Sequence, residues 1–214
     1  MDTKSDTPLH LAAQNGHVDI VELLLKEVSP IDAINQDGNT PLHLAAWYGG
    51  TGVVELLLRK GALIAPVNEE SNTPLHFAAR AGHIDVVELL LGKGASIDAV
   101  TINNDTPLHL AAWKGHIGVV ELLLRKGAPI GAINQYGNTP LHLAVLDGHT
   151  DAVELLLRNG ASTEHRNRYG NTPLHLAAQE GYIDIVRLLN NNTTNSVVHS
   201  VCNPKSKDWG LPIR

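Results

Sequence analysis

The chain has 214 residues, 43% of them hydrophobic, and a net charge of -6 at neutral pH with a pI near 6.0; this is enough apolar material for a buried core and leaves no basic footprint for nucleic acid. Its single cysteine, Cys202, excludes an internal disulfide and fits a reducing compartment. No apolar run approaches the roughly 20 residues of a membrane span.

Met1 to Ser5 is polar and leads straight into a periodic segment, so no signal peptide and a cytoplasmic location are expected. Thr7 reads as a helix N-cap and Pro8 as a first-turn proline, whose missing N–H is unpaired there anyway. Leu9, Leu11, Ala12 and Ala13 then form a short helix that ends near Gly16. A second helix spans Val18 to Lys26, with Val18, Val21, Leu24 and Leu25 at helical spacing. Glycine-alanine pairs such as Gly61-Ala62, Gly94-Ala95, Gly127-Ala128 and Gly160-Ala161 mark the left-handed stop of later second helices. The first unit has Val28-Ser29-Pro30 there, so its helix is expected to end differently.

The phrase Thr-Pro-Leu-His returns at Thr7, Thr40, Thr73, Thr106, Thr139 and Thr172, always after 33 residues. A constant interval of this size marks a stacked-repeat architecture. Units begin near residues 2, 35, 68, 101, 134 and 167. Helices of about ten residues or fewer are not stable alone, so each must lean on the next unit. The links, such as Ile34-Asn35-Gln36-Asp37-Gly38-Asn39, read as hairpin-like turns in which Gly supplies positive φ. Ser71 and Asn104 hold that place in the third and fourth links, and the Ser71 turn is expected to be strained or differently shaped. After Asn190 the pattern fails, and residues 191–214 are expected to be a tail, either disordered or docked through Val197, Val198, Val201 or Trp209 as a cap.

Gly137-Asn138-Thr139-Pro140-Leu141-His142-Leu143-Ala144, and Gly115-His116 followed by Val119-Val120-Glu121-Leu122-Leu123-Leu124, resemble the ankyrin repeat. The resemblance covers residues 2–190 in six copies. It implies an all-α solenoid of stacked helix-turn-helix units with projecting hairpin loops and a concave face that binds other proteins. Val145, Phe77 and Gly50 depart from the pattern, altering packing locally.

Twelve histidines invite a metal or catalytic reading. Six of them, His10, His43, His76, His109, His142 and His175, stand in the opening phrase, where the resemblance implies that the ring bonds the threonine hydroxyl and a neighbouring carbonyl. Neighbouring units lie about 10 Å apart, whereas zinc needs nitrogens at about 2.0 to 2.1 Å, so equivalent histidines cannot share an ion. No metal, cofactor or catalytic residue is expected. His199 with Cys202 lacks a scaffold, and Gly92-Lys93-Gly94-Ala95-Ser96 lacks phosphate-loop spacing and follows a helix.

Partner-binding residues are sought where the repeats vary. Trp47, Tyr48, Arg80, Trp113, Lys114, Leu146 and Asp147 occupy the variable places ending the first helices, and Tyr136 and Tyr169 lie at turn tips. By analogy these line the concave face, and Trp, Tyr and Arg dominate interface energies. The resulting expectation is a monomeric, non-catalytic adaptor or scaffold that binds a protein or peptide segment, without a small-molecule substrate, nucleic acid or membrane. Two alternatives stay open: an effector or recruiting subunit engaging a second protein through its tail, including one secreted to act inside another cell, and an engineered consensus-like binder.

Overall fold

The computed structural model describes residues 5–27 and 29–198, with side chains as far as residue 192. Among the described residues there are twelve helices and no strand. They come in pairs: α1 (Pro8–Gln14) with α2 (Val18–Lys26), α3 (Pro41–Trp47) with α4 (Thr51–Arg59), α5 (Pro74–Ala81) with α6 (Ile84–Gly92), α7 (Pro107–Trp113) with α8 (Ile117–Arg125), α9 (Pro140–Leu146) with α10 (Thr150–Arg158), and α11 (Pro173–Glu180) with α12 (Ile183–Val198). First helices stack on first helices and second on second, the first row more closely. Paired alanines such as Ala45-Ala46 and Ala78-Ala79, all fully buried, let those backbones approach. The array is an all-α solenoid.

Burial comes from the neighbouring unit. Ile20 of α2 is 47% exposed, while Val53, Val86, Val119 and Ala152 at the same place in the next four units are 0% exposed. The same apolar position is wet or dry according to whether a unit stacks on it, as nearest-neighbour stabilisation requires.

Each first helix opens on its threonine with proline at the first turn and a capping box closed by the histidine. The glycine stops at Gly61, Gly94, Gly127 and Gly160 all have positive φ. In the first unit, α2 ends without that glycine, yet Ser29 N–H still donates to Leu24 O at 3.2 Å, matching Ala62 N–H to Leu57 O at 3.0 Å. The conformation expected of Val28 lies outside the described residues.

Ser71 and Asn104 take φ of 59° and 60°, the left-handed region expected there. The Ser71 turn nonetheless keeps its neighbours' shape: Ser71 N–H donates to Asn68 O at 2.9 Å, as Gly38 N–H does to Asn35 O at 3.0 Å. Adjacent hairpins hold it in place, with Glu69 N–H donating to Asp37 O and Ile102 N–H to Glu70 O. Here tertiary bonds override local preference.

At the C-terminal end the pattern break at Asn190 does not terminate the helix, because α12 runs on to Val198. The segment from Asn190 to Ser196 contains no glycine to form a left-handed stop. Asn192 instead donates its side-chain amide to Leu188 O at 3.0 Å. Docking of Val201 or Trp209 lies outside the described residues, as do the side chains of Val197 and Val198.

Two polar columns tie the units together. In the first, Thr40 N–H and hydroxyl donate to His43 Nδ1 at 3.1 and 3.0 Å, while His43 Nε2–H donates to Asn72 O of the next unit at 2.9 Å. The same pattern runs through His10, His76, His109 and His142, pairing each ring as the resemblance implies. An amide N–H can only donate and a carbonyl can only accept. Each ring is therefore neutral, with its proton on Nε2.

In the second column a ring from one unit lies on a glycine of the unit before. A Cβ on Gly49 would come within 2.7 Å of His83 Nδ1, and one on Gly82 within 2.7 Å of His116 Nδ1. These glycines serve both positive φ and close approach. Gly50 interrupts the column, leaving nothing within 4 Å of a Cβ on Gly16. Gly50 already has φ -73° and ψ 66°, close to the -85° and 86° of His83. Gly50→His is therefore expected to stabilise the fold by about 1 kcal/mol, through a new bond and a less flexible unfolded chain. A urea midpoint that falls on this substitution would refute that account.

Candidate functional site

The closing residues of the first helices face the hairpins across a groove. Its floor is a row of three side chains from consecutive units. The Arg80 guanidinium lies 5.6 Å from the Trp47 ring centroid and 5.3 Å from that of Trp113. Lys114 Nζ sits 3.9 Å from the Trp113 centroid. Both cations face the electron-rich side of an indole. Spacing of 33 residues puts these side chains in one column, and all three members of the row are half-buried.

The histidine-glycine column braces this row from behind. His83 Nε2–H donates to Trp47 O at 2.9 Å and His116 Nε2–H to Arg80 O at 3.0 Å. Those bonds fix the helix ends that carry the row. His149, at the matching place in the fifth unit, instead contacts Asp147 Oδ2 at 3.2 Å.

Around the row lie three depressions. The largest, about 440 Å³, lies between Trp47, Phe77 and Arg80 on one side and Asp37, Glu69 and Glu70 on the other. A second of about 430 Å³ continues past Arg80 to Asp105 and Trp113. The third, about 250 Å³, extends to Asp6 and shares Asp37 and Tyr48 with the first. Hairpins form the acidic wall and first helices the aromatic floor.

The structure brings together Trp47, Tyr48, Arg80, Trp113 and Lys114. Tyr48 lines the same groove and is exposed. Tyr136 and Tyr169 stand exposed on hairpins further along, where Arg168 N–H donates to Tyr136 O at 2.9 Å. Leu146 packs against the core, and Asp147 pairs with His149. Phe77 was treated in the sequence only as a packing variant. Its ring meets Trp47 edge-on at 5.3 Å and His43 at 5.4 Å, forming part of the floor. The available signal was its place three residues before Arg80, on the same helix face.

Burial depresses the histidines of the opening phrase. His43, His76 and His142 are each lowered to about 4 by desolvation, against smaller upward effects of the carbonyls they bond. His109 is lowered for the same first cause. With both ring nitrogens committed, these residues cement neighbouring units together. Among the described residues, every buried side-chain nitrogen and oxygen has a partner.

No helix among the described residues is long and apolar enough to cross a membrane. A comparison with curated proteins found no match. The family model for ankyrin repeats (3 copies) matches residues 1–68, 62–134 and 126–199, each copy spanning about two of the 33-residue units. Such repeats generally serve as protein-protein interaction modules and are typically non-catalytic. With that match across nearly the whole chain, and with six helix pairs joined by histidine columns among the described residues, the chain belongs to the ankyrin-repeat family.

Proposed function

We propose that the protein is a non-catalytic adaptor that holds a segment of a partner protein in the groove between hairpins and first helices. Residues 2–190 are the binding unit, the later turns of α12 falling outside the repeat pattern. The observation that carries this reading is the Trp47-Arg80-Trp113 row, a pre-ordered aromatic and cationic surface at the mouth of two depressions. Such side chains bind strongly because little entropy is lost in ordering them further. Tyr48 and Lys114 extend the surface at its edges. Tyr136, Leu146, Asp147 and Tyr169 are assigned to contacts further along the array.

Affinity capture with the intact chain tests the proposal, run in parallel with Arg80→Ala and Trp113→Ala. Each variant is expected to weaken the captured partner by about 2 kcal/mol or more, while the far-UV signal and cooperative melting persist. Equal capture by all three proteins would remove the row from the binding surface.

A further inference from the structure

The two end faces of the array keep the residues that its interior uses to join one unit to the next. On the first unit, Pro8, Ile20 and Leu23 are exposed. The prolines of the five later phrases are buried, as are Val53, Val86, Val119, Ala152 and Ile185 at the place of Ile20. On the sixth unit, His175 and Ala178 are exposed and Leu174 and Val186 half-buried, although each of these positions is buried in the other five units. Terminal units of repeat arrays carry a polar outer face to stay in solution. Neither face does so here: Ile20 and Leu23 mark one, and Leu174, Ala178 and Val186 the other.

Both polar columns stop at the same faces. In the first, every histidine from His10 to His142 donates Nε2–H to the carbonyl of the residue ahead of the next unit's threonine. His175 keeps its bonds to Thr172, but among the described residues no carbonyl reaches its Nε2. The first unit presents the matching carbonyl, that of Asp6 directly before Thr7. In the second column, the rings of His83 and His116 lie on glycines of the preceding unit. The equivalent glycine of the sixth unit, Gly181, would meet nothing described within 4 Å of an added Cβ, and the equivalent ring of the first unit, His17, is exposed. What one face lacks, the other supplies.

We infer that the protein binds a second copy of itself end to end, the first unit of one copy seated on the sixth unit of another. The contact continues the interface that joins units within the chain. Ile20 and Leu23 meet Leu174, Ala178 and Val186 of the neighbouring copy, His175 Nε2–H donates to Asp6 O across the junction, and the His17 ring covers Gly181. Because the two faces differ, the contact is head-to-tail and does not close on itself, so further copies add in file. This replaces the monomer expected from the sequence, and it does not depend on the groove.

The test is sedimentation equilibrium of the full chain over a range of concentrations. The average mass is expected to rise with concentration beyond twice the 23.0 kDa of one copy. Ile20→Lys blocks one face and Ala178→Lys the other, by placing an ammonium group where it would be buried without a partner. Both positions face solvent in a single copy, so each variant should keep its urea midpoint. Each alone should stay at the mass of one copy at concentrations where the unaltered chain has doubled it. An equimolar mixture of the two retains one open pair of faces and should reach two copies and no more. Glu121→Lys, on the exposed side of α8, should leave association unchanged. A mass of one copy for the unaltered chain at every concentration overturns the inference, as would follow if the chain's own residues 199–214 covered the sixth unit. Growth that persists in either single variant, or a mixture that stays at one copy, overturns it as well.

Discussion

Acidification is expected to lower folding stability by roughly 3 kcal/mol per pH unit on average from pH 6.5 to 5, approaching about 4 in the middle of the titration window. His43, His76 and His142 titrate near 4 in the folded chain, having been lowered by desolvation. In the unfolded chain they titrate near 6.5. The unfolded state thus binds more protons between these values, and stability is complete above about 6.5 and is lost as pH falls towards 4. Each ring contributes about 1.4 kcal/mol per pH unit inside the window. Protonation also places a donor on Nδ1, where the threonine N–H already points. Stopping at pH 5 keeps most carboxylates outside the measurement. Urea midpoints at pH 7, 6 and 5 check the slope, and His76→Gln should remove about a third of it. A midpoint constant over this range would mean that the rings already carry charge when folded.

Gly82→Ala is expected to cost about 3 kcal/mol, against about 1 to 2 kcal/mol for Gly94→Ala. Both glycines have positive φ, at 84° and 94°, so both substitutions force an L-residue into the left-handed region. Nothing lies within 4 Å of a Cβ on Gly94, so strain is its whole cost. A Cβ on Gly82 meets the His116 ring at 2.7 Å, displacing a donor that holds Arg80 O at 3.0 Å. Loss of that bond adds about 1 kcal/mol. Because Arg80 is the middle of the aromatic row, the substitution should also loosen the row, seen as a red shift in tryptophan emission. Urea midpoints of both variants, with His116→Ala added to each, test the assignment. Equal costs for the two glycines would show that the ring yields freely.

The family and the helix pairs were legible because they are local and repeated. Threonine caps, first-turn prolines and glycine stops each act within a few residues, and the 33-residue interval multiplies one short reading into six. The Trp47, Arg80 and Trp113 column was legible for the same reason, since equal repeat positions share a face. Phe77 was not, because a leucine-to-phenylalanine change reads as packing until its ring is found against Trp47. Asp37, Glu69 and Glu70 were legible as turn tips beside the first-helix row, by analogy with the family. Their role as a wall depends on hairpins and helices from different units meeting across a gap.

The end of the array shows the same division. Polar residues after Asn190 suggested a break, but α12 continues to Val198 because side-chain polarity does not end a helix without a stop signal. The amino-acid order alone determined the repeat, its register, the helix boundaries ahead of the end of α12, and the column in which the variable side chains stand. Only tertiary structure decided that Arg80 lies between two indoles, that a histidine from the next unit anchors it, and that acids face it across the groove. The physical reason is reach: caps and turns act through neighbours in the chain, whereas burial, ring stacking and charge act through neighbours in space.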